Sequence, residues 1–305
     1  MSDSVALFAL EDFGALQFRG PDAAKFLQGQ LSNDMARLAP GSILRAGLHN
    51  PQGRTLALLW LVARAEDEIL ALLPAELLLG VMAQLRRFVL RSKLSISDVS
   101  AQTRIHGIGA DSLPPSLAAL RAHIWSFAAG RRLLIQDGGA QLPPLERASR
   151  EQWRALDIAA GLPQVYAPTA AQFVAQMLNL DCIDAVAFDK GCYTGQEVIA
   201  RAHFRGRVKR RMQRFESLEP RLLRPGDAGR LEDGRPFRVV ESVQRSDGRS
   251  EFLAVAPLGT AAGTAAGWAA GGAAAASSDA EPSSAAGDAA SLPARALPLP
   301  YALPD

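Results

Sequence analysis

Lys190-Gly191-Cys192-Tyr193-Thr194-Gly195-Gln196-Glu197-Val198-Ile199-Ala200-Arg201 is the stretch of the chain densest in residue types that carry chemistry. Thr194, with Glu197 three residues on and the apolar run Val198-Ile199-Ala200 behind it, has the form of a capping box and predicts a helix starting here. The free N–H groups of a helix start favour negative charge, and Lys190 adds a cation nearby, so Cys192 is expected to form a thiolate more readily than a free thiol. Gly191 and Gly195 free the backbone on either side for a tight loop or the close approach of a ligand. The residues alone leave a second reading open: a small buried cysteine beside an ordinary capped helix. Cys182, inside Leu180-Asp181-Cys182-Ile183-Asp184, has acidic neighbours that raise a thiol pKa, and reads as packing.

Just downstream, Arg201, Arg205, Arg207, Lys209, Arg210, Arg211 and Arg214 place seven positive charges within fourteen residues, with no acid among them. Such a patch suits phosphate, polyglutamate or an RNA backbone, and equally a solvated strand whose arginines pair with acids elsewhere. Phe204 and Phe215 are the nearby aromatics, a thin platform for base stacking.

Upstream, Ser149 with Gln152 forms another capping box, and Gly161 followed by Pro163 supplies the stop of that helix. Residues 5–10 and 15–19 read as strands, and Pro21-Asp22 opens a helix carrying Ala24, Phe26, Leu27 and Leu31. Residues 55–64 and 68–73 read as strands, followed by a helix opened by Pro74 with Leu77, Leu78, Val81, Leu85 and Phe88 at helical spacing, then an alternating strand over 93–99. Past Arg207 short strands are divided by Pro225-Gly226, Asp233-Gly234 and Asp247-Gly248, which predicts a small all-β module after a boundary near 214. Residues 261–290, rich in Ala, Gly and Ser, cannot build a core and read as a flexible insertion, after which Leu297 to Leu303 returns as an edge segment.

With 305 residues there is room for about two domains, and a 48% hydrophobic, 21% charged composition excludes a globally disordered or fibrous chain. Lys plus Arg (33) against Asp plus Glu (31) leaves +2, so any basic site is local. The longest clean apolar run, Leu56 to Ala63, falls far short of the roughly 20 residues of a membrane span. With no basic residue ahead of its first apolar run, the amino terminus does not read as a secretory signal, so a cytoplasmic protein with two thiols is expected. His49, His106, His123 and His203 are scattered, which gives no intrinsic metal site, and two cysteines cannot hold an iron–sulfur cluster alone, so any cluster is shared or transient. Walker, Gly-x-Ser-x-Gly and His-Glu-x-x-His signatures are missing, and Gly107-Ile108-Gly109 reads as an ordinary turn. Without long heptad runs, a monomer is expected.

Lys190 through Glu197 resembles the signature of the YgfZ family of folate-binding proteins, relatives of the glycine-cleavage T-protein. Further support comes from Gly20 through Gln30 with Ser32-Asn33-Asp34, Gln52-Gly53-Arg54, Arg87 through Arg91, Ala160 through Pro163, Gln176 through Asp181, and Ala200 through Arg211. The resemblance covers roughly residues 5 to 215. It implies an α+β, T-protein-like aminomethyltransferase fold: two intertwined α/β portions, 1–100 and 101–214, around a central folate channel, and a C-terminal β-barrel at 215–305. It also implies tetrahydrofolate as cofactor, a role in assembling or repairing iron–sulfur clusters in client enzymes, including a tRNA-modifying one, and possible contact with tRNA. Cys192 and Lys190 carry over as the reactive pair, and Gly191, Tyr193, Thr194, Gly195, Gln196, Glu197 and Arg201 as shapers of the loop. Asn33, Arg54, Gln176 and Asn179 carry over as folate contacts, and Arg205, Arg207, Lys209, Arg210 and Arg211 form the basic patch. The carboxylates that aminomethyl transfer needs fall near Ala57 and Ala159, where this chain has none. Ala175 also stands where the family more often has Pro. The alternatives are therefore a T-protein-type aminomethyltransferase or demethylase, and a tRNA- or client-binding module.

Overall fold

The computed structural model describes residues 6–109, 117, 120, 123–138, 142, 145–206, 208–259 and 291–304. Arg207 and the Ala/Gly/Ser insertion at 261–290 lie outside the described residues. Three five-stranded sheets and four α-helices make up the described fold, a mixed α+β architecture.

The amino-terminal half supplies β1 (Ala6–Ala9), β2 (Phe13–Arg19), α1 (Ala23–Gln30), β3 (Leu44–His49), β4 (Thr55–Ala65), β5 (Glu68–Pro74), α2 (Ala75–Arg86) and β6 (Ser95–Asp98). Five of these strands form an antiparallel sheet in the order β3-β4-β5-β2-β6. Their alternation puts Leu16, Phe18, Leu59, Leu61, Ala71 and Leu73 against Phe26 and Leu27 of α1 and Leu78, Val81 and Leu85 of α2. The helix opened by Pro74 ends at Arg86, and Phe88, expected on its apolar face, lies beyond the end and is 45% exposed.

The middle of the chain supplies β7 (Thr103–Gly109), β8 (Ile124–Ala128), β9 (Arg131–Asp137), β10 (Glu146–Ala148), α3 (Arg150–Ala159) and α4 (Gln196–Phe204). Its sheet runs β10-β1-β7-β9-β8, so the chain's first strand pairs with residues more than ninety positions away, while β2 joins the other sheet. That exchange interlocks the two α/β portions. Gly107 and Gly109 lie within β7, not in a turn, and Trp153 of α3 packs directly over Gly107. Between the two sheets, Phe13, Trp60, Phe127 and Trp153 form a chain of ring contacts, with centroids 4.3 to 5.4 Å apart. Ser149 caps α3 in the predicted reciprocal box with Gln152.

The third sheet holds β11 (Arg210–Ser217), β12 (Ala228–Arg230), β13 (Pro236–Gln244), β14 (Ser250–Pro257) and β15 (Ala294–Leu297), antiparallel in the order β12-β13-β14-β11-β15. A bridge between Leu231 and Leu292 brings its two edges together around Phe215, Phe237, Val239 and Phe252. The returning terminus is an edge strand only over Ala294–Leu297. Beyond it Tyr301 crosses to the end of α3, where its hydroxyl donates to the Gly161 carbonyl at 2.7 Å. Among the described residues no helix is long and apolar enough to cross a membrane.

Candidate functional site

Four segments that are distant in sequence meet around Cys192. Lys190 donates all three ammonium protons to backbone carbonyls at the end of α1: Gln28 O at 2.7 Å, Leu31 O at 2.6 Å and Asn33 O at 2.8 Å. A cation is favoured there because the carbonyls at a helix end carry partial negative charge. Burial pushes the ammonium down to about 8, and its nitrogen also lies 5.1 Å from the centre of the Tyr193 ring. Ser32 fixes the preceding stretch, donating to Ala185 O while accepting from Gly47 N–H. Lys190 is thus the anchor of the loop, with its donors committed.

Cys192 is exposed and carries no disulfide, whereas Tyr193 beside it is buried. Burial pushes the Tyr193 phenol up to about 12, so the ring serves as a neutral plug beneath the loop. Gly195 takes φ +84°, and a Cβ there would stand 2.5 Å from the carbonyl oxygen of Asn50 and 3.1 Å from the Cα of Gly53. The loop is therefore pressed against the turn containing Gln52-Gly53-Arg54, which only glycine permits. The predicted Thr194–Glu197 capping box does not form: Gly195 is the N-cap and Thr194 makes no capping bond. Gln196, one residue before the expected Glu197, reaches back instead, its Oε1 accepting from Tyr193 N–H at 3.1 Å. The left-handed turn at Gly195 delays the helix start by one step and so displaces the box. Glu197 and Arg201 lie exposed on α4.

Cys182 is half-buried, and burial first, then Asp181, pushes its thiol up to about 11. Its sulfur lies 3.7 Å from both Asp181 Oδ1 and Arg211 Nη1.

The residues carried over as folate contacts are drawn into the same region, each making internal hydrogen bonds. Asn33 is buried and donates to Arg45 O and Asp184 O. Gln176 donates to Ile199 O of α4, and its own Oε1 is buried without a partner. Asn179 donates to Met212 O at 2.8 Å and Tyr301 Oη at 3.3 Å, and Arg54 donates to Gln172 O. Of the basic patch, Arg205, Lys209 and Arg210 are exposed, while Arg211 is buried and bidentate on Asp181 at 2.9 to 3.0 Å. Arg211 is therefore an internal ion pair and leaves the accessible patch, and Arg214 likewise pairs with Glu251.

Sequence reasoning missed two groups. His49 is wholly buried at the end of β3, its ring 6.3 Å from that of Tyr193 and its Cβ close beneath Gly195. Both ring nitrogens lack a partner, and burial pushes its pKa down to about 3. Its position three residues before Gln52-Gly53-Arg54 is the one signal that could have flagged it. The second is Glu241 of β13, wholly buried, which accepts from Tyr166 Oη at 2.5 Å and faces Arg154 at 3.4 Å. Burial raises both the Glu241 carboxyl and the Tyr166 phenol, and the pair ties the third sheet to the segment after α3. Among the described residues no group of three or more His, Cys, Asp or Glu side chains is arranged to hold a metal ion.

No family model matches the chain. It is 32% identical over 276 residues to the tRNA-modifying protein YgfZ of Edwardsiella ictaluri, covering 80% of this chain and 82% of that one. The protein of the same name from Klebsiella pneumoniae is 30% identical over an alignment of 337 residues, 99% of this chain and 94% of that one. Among solved structures, the glycine cleavage system aminomethyltransferase T from Bartonella henselae matches with a TM-score of 0.63 at 15% identity, over 84% of this chain and 79% of that one. That last likeness is one of fold.

Proposed function

The chain belongs to the family of the tRNA-modifying protein YgfZ, and from that premise we propose that it is a cytoplasmic, monomeric accessory protein for assembling or repairing iron–sulfur clusters in selected enzymes, a tRNA-modifying one among them, with tetrahydrofolate as cofactor and Cys192 as the working thiol. The observation that carries the reading is the contrast between the two cysteines. Cys192 is exposed on a loop braced by the Lys190 anchor and the buried Tyr193, whereas Cys182 is half-buried against Asp181 with its thiol pushed up to about 11. A thiol acts as nucleophile or metal ligand in its thiolate form, which Cys182 resists at neutral pH. One thiolate supplies one of the about four ligands a cluster takes, so the remaining ligands belong to the client or donor, and the cluster is cargo.

Support for the folate arm is the aminomethyltransferase fold. The donors of the four carried-over residues are largely engaged within the protein, Asn33, Gln176 and Asn179 donating internally and Arg54 to Gln172 O, while the buried Gln176 Oε1 has no partner and is left for a pterin.

True aminomethyl transfer is disfavoured because Ala57 is buried in the apolar core and Ala159 is exposed on α3, and neither brings a carboxylate to the loop. Purified protein, supplied with tetrahydrofolate and an amine donor, is expected to form no methylenetetrahydrofolate, while calorimetry detects tetrahydrofolate binding equally by the wild type and Cys192→Ser. Sustained turnover would replace the accessory reading with an enzyme, and absence of binding by both proteins would remove the folate arm.

A further inference from the structure

The carboxyl end of α4 carries a ring cluster that the Cys192 loop does not use. His203 stacks on Phe188 with centroids 3.7 Å apart and planes 13° from parallel. Phe204 stands edge-on to both, at 81° to His203 and 74° to Phe188, and is 68% exposed. Isolated exposed apolar side chains are common and need no explanation. Here the exposed ring is braced by two others and set among cations. Arg201 on α4 and Arg205 at its C-cap are four residues apart, and Lys209 and Arg210 follow four and five residues after Arg205, where the chain enters β11. All four are exposed, and none makes an ion pair among the described residues, unlike neighbouring Arg211 and Arg214. Gly206 keeps this group together: a Cβ there would stand 3.0 Å from the Cα of Ala202, so the chain leaves α4 pressed back against its last turn.

We infer that this surface binds an unpaired segment of RNA, with a base stacked on Phe204 and the backbone phosphates on Arg201, Arg205, Lys209 and Arg210. An aromatic face offers sequence-tolerant stacking, and clustered cations without internal partners offer the phosphate track. A duplex keeps its bases stacked inside and has none to offer the ring. A folded protein partner would have to desolvate four unpaired charges to cover the same ring, which is costly unless each meets an acid. The choice of RNA rests on the tRNA side of the proposed function; the surface itself is independent of Cys192 and of folate.

The test is fluorescence anisotropy with the full chain and a labelled, unstructured single-stranded oligoribonucleotide of about 12 nucleotides, within the usual range of single-strand site sizes. Affinity is expected to fall with salt with a log–log slope of about −0.7 for each phosphate engaged. Phe204→Ala should weaken binding about tenfold or more, the equivalent of one lost stacked base, while Phe204→Trp retains it. Arg205→Glu with Arg210→Glu should flatten the salt slope, and Leu79→Ser, an equally exposed site on α2, should change nothing. Equal binding of a duplex, or affinity unaltered by both Phe204→Ala and the double charge reversal, overturns the assignment, as does no binding by folded protein at low salt. None of these readouts involves cluster enzymes or folate, so failure here is distinct from failure of the function proposed above.

Discussion

His49 is an imidazole held neutral by its surroundings: wholly buried, without a hydrogen-bond partner on either nitrogen, and with its pKa pushed down to about 3. The unfolded chain takes up a proton on this residue near its ordinary value of 6.5, whereas the folded chain refuses it until about 3. Between those values the unfolded state binds more protons, so stability is lost as pH falls from about 6.5. One proton's difference corresponds to about 1.4 kcal/mol per pH unit. Urea unfolding from pH 6 down to 4 should therefore show a pH slope shallower by that amount in His49→Phe than in the wild type. His106, whose pKa is lowered mainly by burial, acts with the same sign in both proteins and cancels from the comparison. Identical slopes would mean that His49 is solvated or paired. Neither its burial nor its lack of partners could be read from the sequence, because both arise where Gly47, Tyr193 and Gly195 close around it, and those residues meet only in three dimensions.

Two helices carry the same kind of punctuation and use it differently. Ser149 and Gln152 make both bonds of a capping box at α3, whereas Thr194 and Glu197 make neither at α4, because the left-handed Gly195 becomes the N-cap and Gln196 reaches back in place of Glu197. Ser149→Ala should cost about 1 kcal/mol in chemical denaturation, the usual value of a lost cap. Thr194→Ala should stay within about 0.5 kcal/mol, as expected for a partly exposed residue with no special role. A large loss at Thr194 would show that its hydroxyl holds the loop after all. Local pattern located α1, α2, α3 and the strands β1, β2, β4, β5 and β6 to within a few residues, since apolar periodicity and Gly or Pro stops act locally, whereas β3 and β7 to β10 carried no such signal. It failed at the end of α2, where Phe88 lies past the last turn, and at the start of α4, where the left-handed Gly195 packed on Asn50 and Gly53 sets the cap.

In the molecule as a whole, motifs far apart in sequence are neighbours: Lys190 on the Gln28 to Asn33 stretch, Gly195 on Asn50 and Gly53, and Gln176 on α4. What they share is bracing of one loop. The sequence could not show that β1 leaves its own half to pair with β7 and β10, because strand pairing at long separation has no local signature. Nor could it show that Arg211 is spent on Asp181, since burial decides which member of a basic run stays free. The fold places a mostly buried scaffold behind a single exposed thiol, and the proposed function depends on that thiol. Its most direct test is made in cells whose only copy of the chain is wild type, Cys192→Ser or Cys182→Ser, by measuring the nucleoside made by a cluster-dependent tRNA-modifying enzyme. Near-normal levels are expected with Cys182→Ser and a loss with Cys192→Ser, the variant protein remaining folded at normal abundance. Normal levels with Cys192→Ser would contradict the proposed function.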